Sequence, residues 1–185
     1  TPDGLTTMRN YSLSDEPGKD YFRISVKKEI GADADTPKGY VSNKLHNETN
    51  VGDSLEIGPP CGEFFLNTQD RHERPLVLLA AGIGITPILS ILKSALKSMP
   101  DRKIFFIHGC LNEDVQPFKN PIDQLYKEYK NLKVHYRYSN PENENTKRGG
   151  NCSTGFINAA FIEAQVNERN ADYYFCGPKP FMVNV

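Results

Sequence analysis

The fold is decided by one apolar run that ends in a glycine-rich turn, Pro75-Leu76-Val77-Leu78-Leu79-Ala80-Ala81-Gly82-Ile83-Gly84-Ile85-Thr86-Pro87. Its first half is continuously apolar and has the length of a strand, which is typical of a parallel strand covered on both faces. Apolar residues recur at helical spacing from Pro87 onward, with Thr86 placed to cap a helix and Pro87 suited to its first position. This stretch therefore predicts the first strand, turn and helix of an α/β domain.

The same alternation of strand and helix continues to the end of the chain. We predict strands at residues 104–108, 134–138 and 172–176, and helices at residues 122–129 and 156–166. The polar stretch 140–151 predicts an exposed loop. A last helix should begin after Pro180, and we expect the chain to stop inside it, with the final layer of the domain missing.

The upstream part of the chain has a different pattern. Residues 21–27 alternate polar and apolar side chains, which predicts a half-buried antiparallel strand with one wet face. Further strands are predicted at 10–14 and 54–58, with one short helix at 41–46. We therefore expect part of an antiparallel β-barrel over residues 1–70, followed by a parallel-sheet nucleotide-binding domain of the α/β class over residues 71–185.

Composition excludes several classes of function. The 185 residues include 22 Lys and Arg against 23 Asp and Glu, so no basic surplus is present to hold a nucleic acid or an anionic membrane. The longest apolar stretch is interrupted by glycine and proline and does not predict a membrane span. Four cysteines without a CxxC pair fit a reducing compartment, and no ligand spacing for a metal is visible. We expect a cytoplasmic protein with no metal site.

The turn at Gly82 and Gly84 is the first candidate for chemistry. Glycines let the backbone turn tightly and approach a ligand, while free N–H groups at a helix start favour a pyrophosphate. A tight turn without any ligand explains the motif equally well by itself, but its place at the carboxyl end of a parallel strand favours binding. Pro87 stands where the dehydrogenase fingerprint has its third glycine, which argues against an ordinary dehydrogenase.

Three further stretches carry weaker signals. Tyr11, between Arg9 and Ser12, could stack on a flat conjugated ring, or could be a half-buried tyrosine of a surface strand. Ser42 follows Gly39 at a helix start and indicates either a second anion site or a simple helix cap. Cys176 follows a strand and opens on the same sheet edge as Gly82, although a lone cysteine there is more often a small buried residue.

Taken in this order, these stretches resemble the ferredoxin-NADP reductase superfamily, and within it the reductase region of flavohaemoglobins. The matching stretches are residues 9–12, 39–46, 51–53, 62–65, 81–87 and 176–182. The resemblance covers nearly the whole chain. It implies a ferredoxin-reductase-like fold, in which the barrel part binds FAD and the α/β domain binds NAD(P)H.

The resemblance also implies roles for individual residues. Tyr11 would stack on the isoalloxazine, Ser12 would lie near its reactive edge, and Arg9 would meet the FAD pyrophosphate. Gly39, Val41 and Ser42 would close on that pyrophosphate. The implied cofactor-binding set is Arg9, Asn10, Tyr11, Ser12, Gly39, Val41, Ser42, Gly82, Ile83, Gly84, Ile85, Thr86, Pro87, Cys176, Gly177 and Pro178, with Ser12 and Cys176 as the catalytic positions.

The implied activity is that of an NAD(P)H-dependent flavoprotein reductase. A hydride would pass from NAD(P)H to FAD, and single electrons would pass on to haem in an attached globin domain, as in the dioxygenation of nitric oxide to nitrate. This chain does not contain the globin, and we interpret its histidines as packing or surface residues: His46, His72, His108 and His135.

Alternatives remain open for the electron acceptor and for the nucleotide. A reductase of the cytochrome b5 type, or another flavin reductase with a different acceptor, would carry similar motifs, and a degenerate non-enzymatic domain is the least favoured reading. A 2'-phosphate would need cations after the third α/β strand. The candidates are Arg137, Ser139, Lys147 and Arg148, which are explained equally well as solvated loop residues.

Overall fold

A five-stranded parallel sheet forms the centre of the molecule. The computed structural model describes residues 6–31, 36–69, 73–142 and 150–185. The strand order is β4-β3-β2-β1-β5. The strands are β1 (Leu76–Ala81), β2 (Ile104–Cys110), β3 (Leu132–Tyr138), β4 (Cys152–Thr154) and β5 (Asp172–Cys176).

The described residues form five helices, one before the first strand and four that connect or follow the strands and pack on the two faces of the sheet. They are α1 (Tyr40–Asn47), α2 (Ile85–Ser98), α3 (Lys119–Glu128), α4 (Ala159–Val166) and α5 (Lys179–Asn184). A single 3-10 turn, Gly82–Gly84, joins β1 directly to α2. None of the helices in the described part of the chain is long and apolar enough to cross a membrane.

The core has two layers because successive residues of β1 point to opposite faces of the sheet. Leu76, Leu78 and Ala80 pack with the apolar face of α2 and with Ile122 of α3. On the other face, Val77 and Leu79 pack with Ile162 and Val166 of α4 and with Phe181 of α5. The continuous apolar run of β1 is thus explained by burial on both sides, as predicted.

The α/β half has the predicted elements with shifted boundaries. Helix α2 begins at Ile85, so Thr86 lies inside its first turn and donates its hydroxyl to the Ile83 carbonyl at 3.2 Å instead of capping the helix. Helix α4 begins only at Ala159, because Asn158 accepts a hydrogen bond from the Phe161 amide and caps it there. Strand β4 was missed because three residues are too few for a periodic signal. Helix α5 begins at Lys179, just before Pro180.

The antiparallel barrel is not confirmed. Within residues 6–31 and 36–69 the structure has one antiparallel bridge, Leu13 to Ile24, supported by a hydrogen bond from the Ser14 amide to the Arg23 carbonyl. The strands expected at 21–27 and 54–58 do not form in that part, since a strand needs a neighbour for its backbone groups. Their apolar side chains are accordingly exposed, among them Phe22, Ile24, Leu55 and Ile57.

Candidate functional site

The sheet reverses its direction of growth at β1. From β1 the chain crosses through α2 to β2 on one side and later returns to β5 on the other side. Open α/β sheets bind ligands in the crevice outside the carboxyl ends of such a strand pair. Because Ala80 is in register with Cys176, this rule places the crevice between the Gly82–Gly84 turn and the segment that starts at Cys176.

The two glycines of this turn serve different purposes. A Cβ on Gly84 would overlap the Cys176 carbonyl group and come within 2.7 Å of the Gly177 Cα, so Gly84 permits the two segments to touch. Gly82 has φ +53°, a left-handed conformation that costs most residues strain, and a Cβ there would meet nothing within 4 Å. One glycine closes the base of the crevice, while the other leaves its backbone open to a ligand.

His108 supports this turn from the neighbouring strand. It is fully buried near the end of β2, and its Nε2 lies 3.1 Å from the Gly82 carbonyl. A carbonyl only accepts hydrogen bonds, so Nε2 carries the proton and donates it. Burial lowers the pKa of His108 to about 4, which keeps the ring neutral near pH 7. Sequence analysis missed this role, although a histidine two residues before a strand end, one strand from the glycine turn, was the available signal.

The two cysteines at this edge of the sheet are not reactive thiolates. Cys110 Sγ lies 3.3 Å from His108 Nε2, and burial raises the pKa of its thiol to about 12. Burial also raises the pKa of the half-buried Cys176 thiol. Both therefore remain protonated thiols near neutral pH, so Cys176 offers a small polarizable contact and is not poised as a nucleophile.

The stretch from Arg9 to Ser12 is accessible. Arg9, Asn10 and Ser12 are exposed and Tyr11 is half-buried. The Arg9 guanidinium donates to the Thr7 hydroxyl at 3.0 Å and to the Met8 carbonyl at 2.7 Å, so its present contacts are local. The stretch is irregular in backbone and is therefore not part of the strand expected at 10–14.

The start of α1 presents backbone donors. Gly39 is the N-cap, and the N–H groups of Val41 and Ser42 have no acceptor within the helix because they lie in its first turn. The Ser42 hydroxyl neither caps the helix nor points freely: it donates to the Gly39 carbonyl at 3.0 Å and accepts from the Glu29 amide at 3.2 Å. An anion at this helix start would thus meet backbone amides and not the Ser42 hydroxyl.

The cations suggested for a 2'-phosphate are only partly described. Arg137 donates to the Phe156 carbonyl at 2.8 Å and to the Ser153 hydroxyl at 3.0 Å, and its guanidinium lies 3.8 Å from the centre of the Phe161 ring. It therefore braces the connection from β4 to α4. The Ser139 amide donates to the Cys110 carbonyl. Lys147 and Arg148 lie outside the described residues, as does His72.

Comparison with known proteins identifies the family. Residues 78–185 match the family model described as the oxidoreductase NAD-binding domain. The chain belongs to this oxidoreductase NAD-binding domain family. Residues 1–66 match a second family model, the oxidoreductase FAD-binding domain. The Gly82–Gly84 turn and the segment that starts at Cys176 both lie within the residues matched to the NAD-binding domain.

Individual relatives agree with the two matches. Flavohemoprotein B of Dictyostelium discoideum is 43% identical over 97% of this chain and 41% of its own length. The flavohem-like FAD/NAD-binding domain of a nitric oxide dioxygenase from Vibrio cholerae has a TM-score of 0.78 at 29% identity, over 95% of this chain and 68% of its own. A flavohemoglobin from Malassezia yamatoensis with bound FAD and haem has a TM-score of 0.76 at 26% identity, over 99% of this chain and 43% of its own.

These findings confirm the resemblance to flavohaemoglobin reductase regions and the ferredoxin-reductase-like fold. They also confirm that the chain combines an oxidoreductase FAD-binding domain with an oxidoreductase NAD-binding domain. The chain spans less than half the length of curated flavohaemoproteins that it matches, 41% to 45%.

The packing of Gly84 against Cys176 generates the first prediction. We expect Gly84→Ala to weaken NAD(P)H binding at least tenfold and to lower the free energy of unfolding by about 1–3 kcal/mol, because the new methyl group overlaps backbone that cannot rotate away. Titration calorimetry and denaturant unfolding measure the two effects. Gly58→Ala is the matched control, since a Cβ there meets nothing within 4 Å; equal losses in both variants would contradict the packing role.

The buried His108 generates a prediction about pH. The unfolded chain binds a proton on this histidine below about pH 6.5, whereas the folded chain resists protonation down to about pH 4, so stability falls as the pH falls through this window. The full effect is about 3 kcal/mol. His108→Gln keeps a donor for the Gly82 carbonyl but does not titrate, and its unfolding free energy should fall correspondingly less between pH 7 and pH 4. Parallel curves for the two proteins, measured by urea unfolding, would contradict this.

Proposed function

We propose that this chain is the reductase part of a flavohaemoglobin-type nitric oxide dioxygenase. In this proposal it takes a hydride from NAD(P)H onto FAD and passes single electrons to haem. The observation that carries it is the crevice at the sheet reversal, where the open Gly82 backbone faces the same edge as the Cys176 segment. The similarity to flavohaemoproteins over nearly the whole chain supports the choice of acceptor.

The proposed division of labour follows the two family matches. Residues 1–70 would form part of an FAD-binding domain of the antiparallel barrel type, and residues 71–185 the NAD(P)-binding domain. The matches at 1–66 and 78–185 and the start of β1 at Leu76 support a boundary near residue 70.

The flavin side would be held by an aromatic face and by backbone donors. Tyr11 would stack on the isoalloxazine, with Asn10 and Ser12 beside its ring and Arg9 free to turn from its local contacts toward phosphate. Gly39, Val41 and Ser42 would supply backbone N–H groups to the pyrophosphate, because the Ser42 hydroxyl is already committed to backbone groups.

The nicotinamide side would be held by the crevice. The turn and first helical residues, Gly82, Ile83, Gly84, Ile85, Thr86 and Pro87, would line one wall, and Cys176, Gly177 and Pro178 the other. The chemistry that bound FAD and NAD(P)H supply is hydride transfer between two flat rings, which requires no strong acid or base from the protein. Ser12 and Cys176 would therefore act by contact and orientation, consistent with a neutral Cys176 thiol.

The electron acceptor would be haem in a globin domain of the same polypeptide. The names of the relatives and the share of their length that this chain spans support this proposal. In the described residues no three His, Cys, Asp or Glu side chains lie close enough to hold a metal ion. A cytoplasmic location is proposed from the cysteine pattern.

An absorption spectrum of the protein expressed from its complete gene tests the function. We expect flavin bands together with a haem Soret band, and anaerobic NADH or NADPH should bleach the flavin. Flavin without haem would overturn the globin acceptor while leaving a reductase. Neither chromophore, even after incubation with FAD and haemin, would overturn the whole proposal.

The proposed stacking role of Tyr11 can be tested separately. Tyr11→Ala should raise the FAD dissociation constant about fivefold, because ring stacking contributes on the order of 1 kcal/mol beyond simple burial. Tyr126→Ala, which removes an equally sized exposed ring from α3, is the matched control. Fluorescence titration of apoprotein with FAD gives both constants, and similar values for the two variants would refute the assignment.

A further inference from the structure

Asp15, three residues after the proposed flavin-binding stretch 9–12, has a buried carboxylate that contacts helix α2. The Asp15 side chain is only 4% exposed, yet it faces three cations. Lys93 Nζ lies 2.6 Å from Oδ1, Lys19 Nζ lies 3.1 Å from Oδ2, and an Arg23 nitrogen lies 3.4 Å from Oδ2. Tyr21 donates its hydroxyl to Oδ2 at 3.0 Å. Donors therefore engage both oxygens of this carboxylate, which is the condition for burying a charge.

Helix α2 makes two contacts with Asp15. Lys93 reaches the Asp15 carboxylate, and the Ser90 hydroxyl donates to the Asp15 carbonyl at 2.7 Å. Ser90 and Lys93 are three residues apart and so share one face of the helix. Helix α2 otherwise buries most of its residues in the sheet core, and these two polar side chains both contact one residue about 75 positions earlier in the chain.

The two ends of this link are close to the two proposed ring sites. Asp15 follows Ser12 by three residues, a span of at most about 10 Å. Ser90 lies four residues, or about 6 Å along the helix, beyond Thr86, and α2 continues rigidly from the Gly82 turn. A displacement at Asp15 would thus change the separation between the segment at Tyr11 and the crevice.

Asp15 is also anchored on its own side. The Ser14 amide donates to the Arg23 carbonyl at 2.8 Å, and the Ser14 and Ser25 hydroxyls lie 2.8 Å apart. Lys19, Arg23 and Tyr21 belong to this same segment. Loss of Lys93 would therefore leave the carboxylate with local partners and release only its connection to α2.

We propose that Asp15, through its contacts to Lys93 and Ser90, is a positioning residue that fixes the flavin-binding stretch to the helix of the nicotinamide site. The inference rests on the proposed function and deepens it. Hydride transfer requires the reacting atoms to approach within about 3–3.5 Å, and a misplacement of about 1 Å can cost 100-fold in rate. Although burial opposes ionisation, hydrogen bonds from Lys93, Lys19 and Tyr21 hold the pKa of Asp15 well below its usual range, so the link persists at all physiological pH values.

The test compares Lys93→Met with Lys97→Met in the FAD-loaded protein expressed from its complete gene. Lys97 is exposed one turn further along the same helix and is the matched control. For Lys93→Met we expect an FAD dissociation constant within twofold of wild type, and a limiting rate of flavin reduction by NADH that is 10- to 100-fold lower in anaerobic stopped flow. Lys93→Arg should recover most of the rate, and Lys97→Met should match wild type.

A second readout does not depend on turnover. In wild type, adding FAD should slow amide hydrogen exchange in residues 85–93, because the flavin-binding stretch is coupled to α2. In Lys93→Met, FAD should slow exchange near residues 9–12 but no longer in the helix. Asp15→Asn, which keeps one acceptor oxygen but removes the charge, should show a change in the same direction and serves if Lys93→Met folds poorly.

The outcomes separate this inference from the proposed function. A wild-type protein that binds no FAD, or whose flavin is bleached by neither NADH nor NADPH, contradicts the proposed function. A wild type that bleaches, with Lys93→Met and Asp15→Asn equal to it in rate and in FAD-induced protection, contradicts the positioning role alone. Equal losses in Lys93→Met and Lys97→Met would also overturn it, since of these two lysines Lys93 alone contacts Asp15.

Discussion

The contact between the Gly82–Gly84 turn and the Cys176 segment is the constraint on which the rest of this site depends. It exists because β1 lies between β2 and β5, so that two loops far apart in sequence leave the same sheet edge side by side. Gly84 makes their contact possible, since any side chain there would occupy the space of the Cys176 carbonyl. His108 then fixes the turn from β2, and the first turn of α2 inherits its direction from that turn. The crevice is therefore a property of the backbone before any side chain contributes to binding.

Sequence patterns predicted the parallel sheet well because its strands are buried on both faces. The run at Leu76–Ala81 contains no polar residue, and its strand is found at the predicted residues. Helix boundaries were less predictable. Pro87 is compatible with any position of a first helical turn, so its presence did not reveal that the 3-10 turn passes directly into α2 at Ile85. In the upstream half, the alternation at 21–27 describes a surface suited to a sheet, but a strand also needs a partner, which a local pattern does not encode.

The candidate site was predictable where motifs are local and unpredictable where contacts are distant. The glycine turn and the Cys176 segment each mark the end of a strand, and the strand order places these two ends side by side. His108 and Asp15 carry no motif. Their roles come from a carbonyl 26 residues away and from a lysine 78 residues away. No periodicity or spacing rule connects such pairs, because they are created by the packing of the finished sheet and helix.

The polar groups of this site are arranged so that their charges do not change near neutral pH. Burial keeps His108 neutral and the Cys110 and Cys176 thiols protonated. The neighbouring lysines keep Asp15 ionised. An acid–base enzyme needs the opposite, a group whose pKa lies close to the working pH. Hydride transfer between bound rings instead requires a short, fixed distance between the reacting atoms and a correct alignment of the rings. A site that holds each buried group in one protonation state keeps hydrogen bonds, and thus distances, constant. Because these protonation states are constant, function at this site is expected from the residues that set its geometry and not from a proton donor.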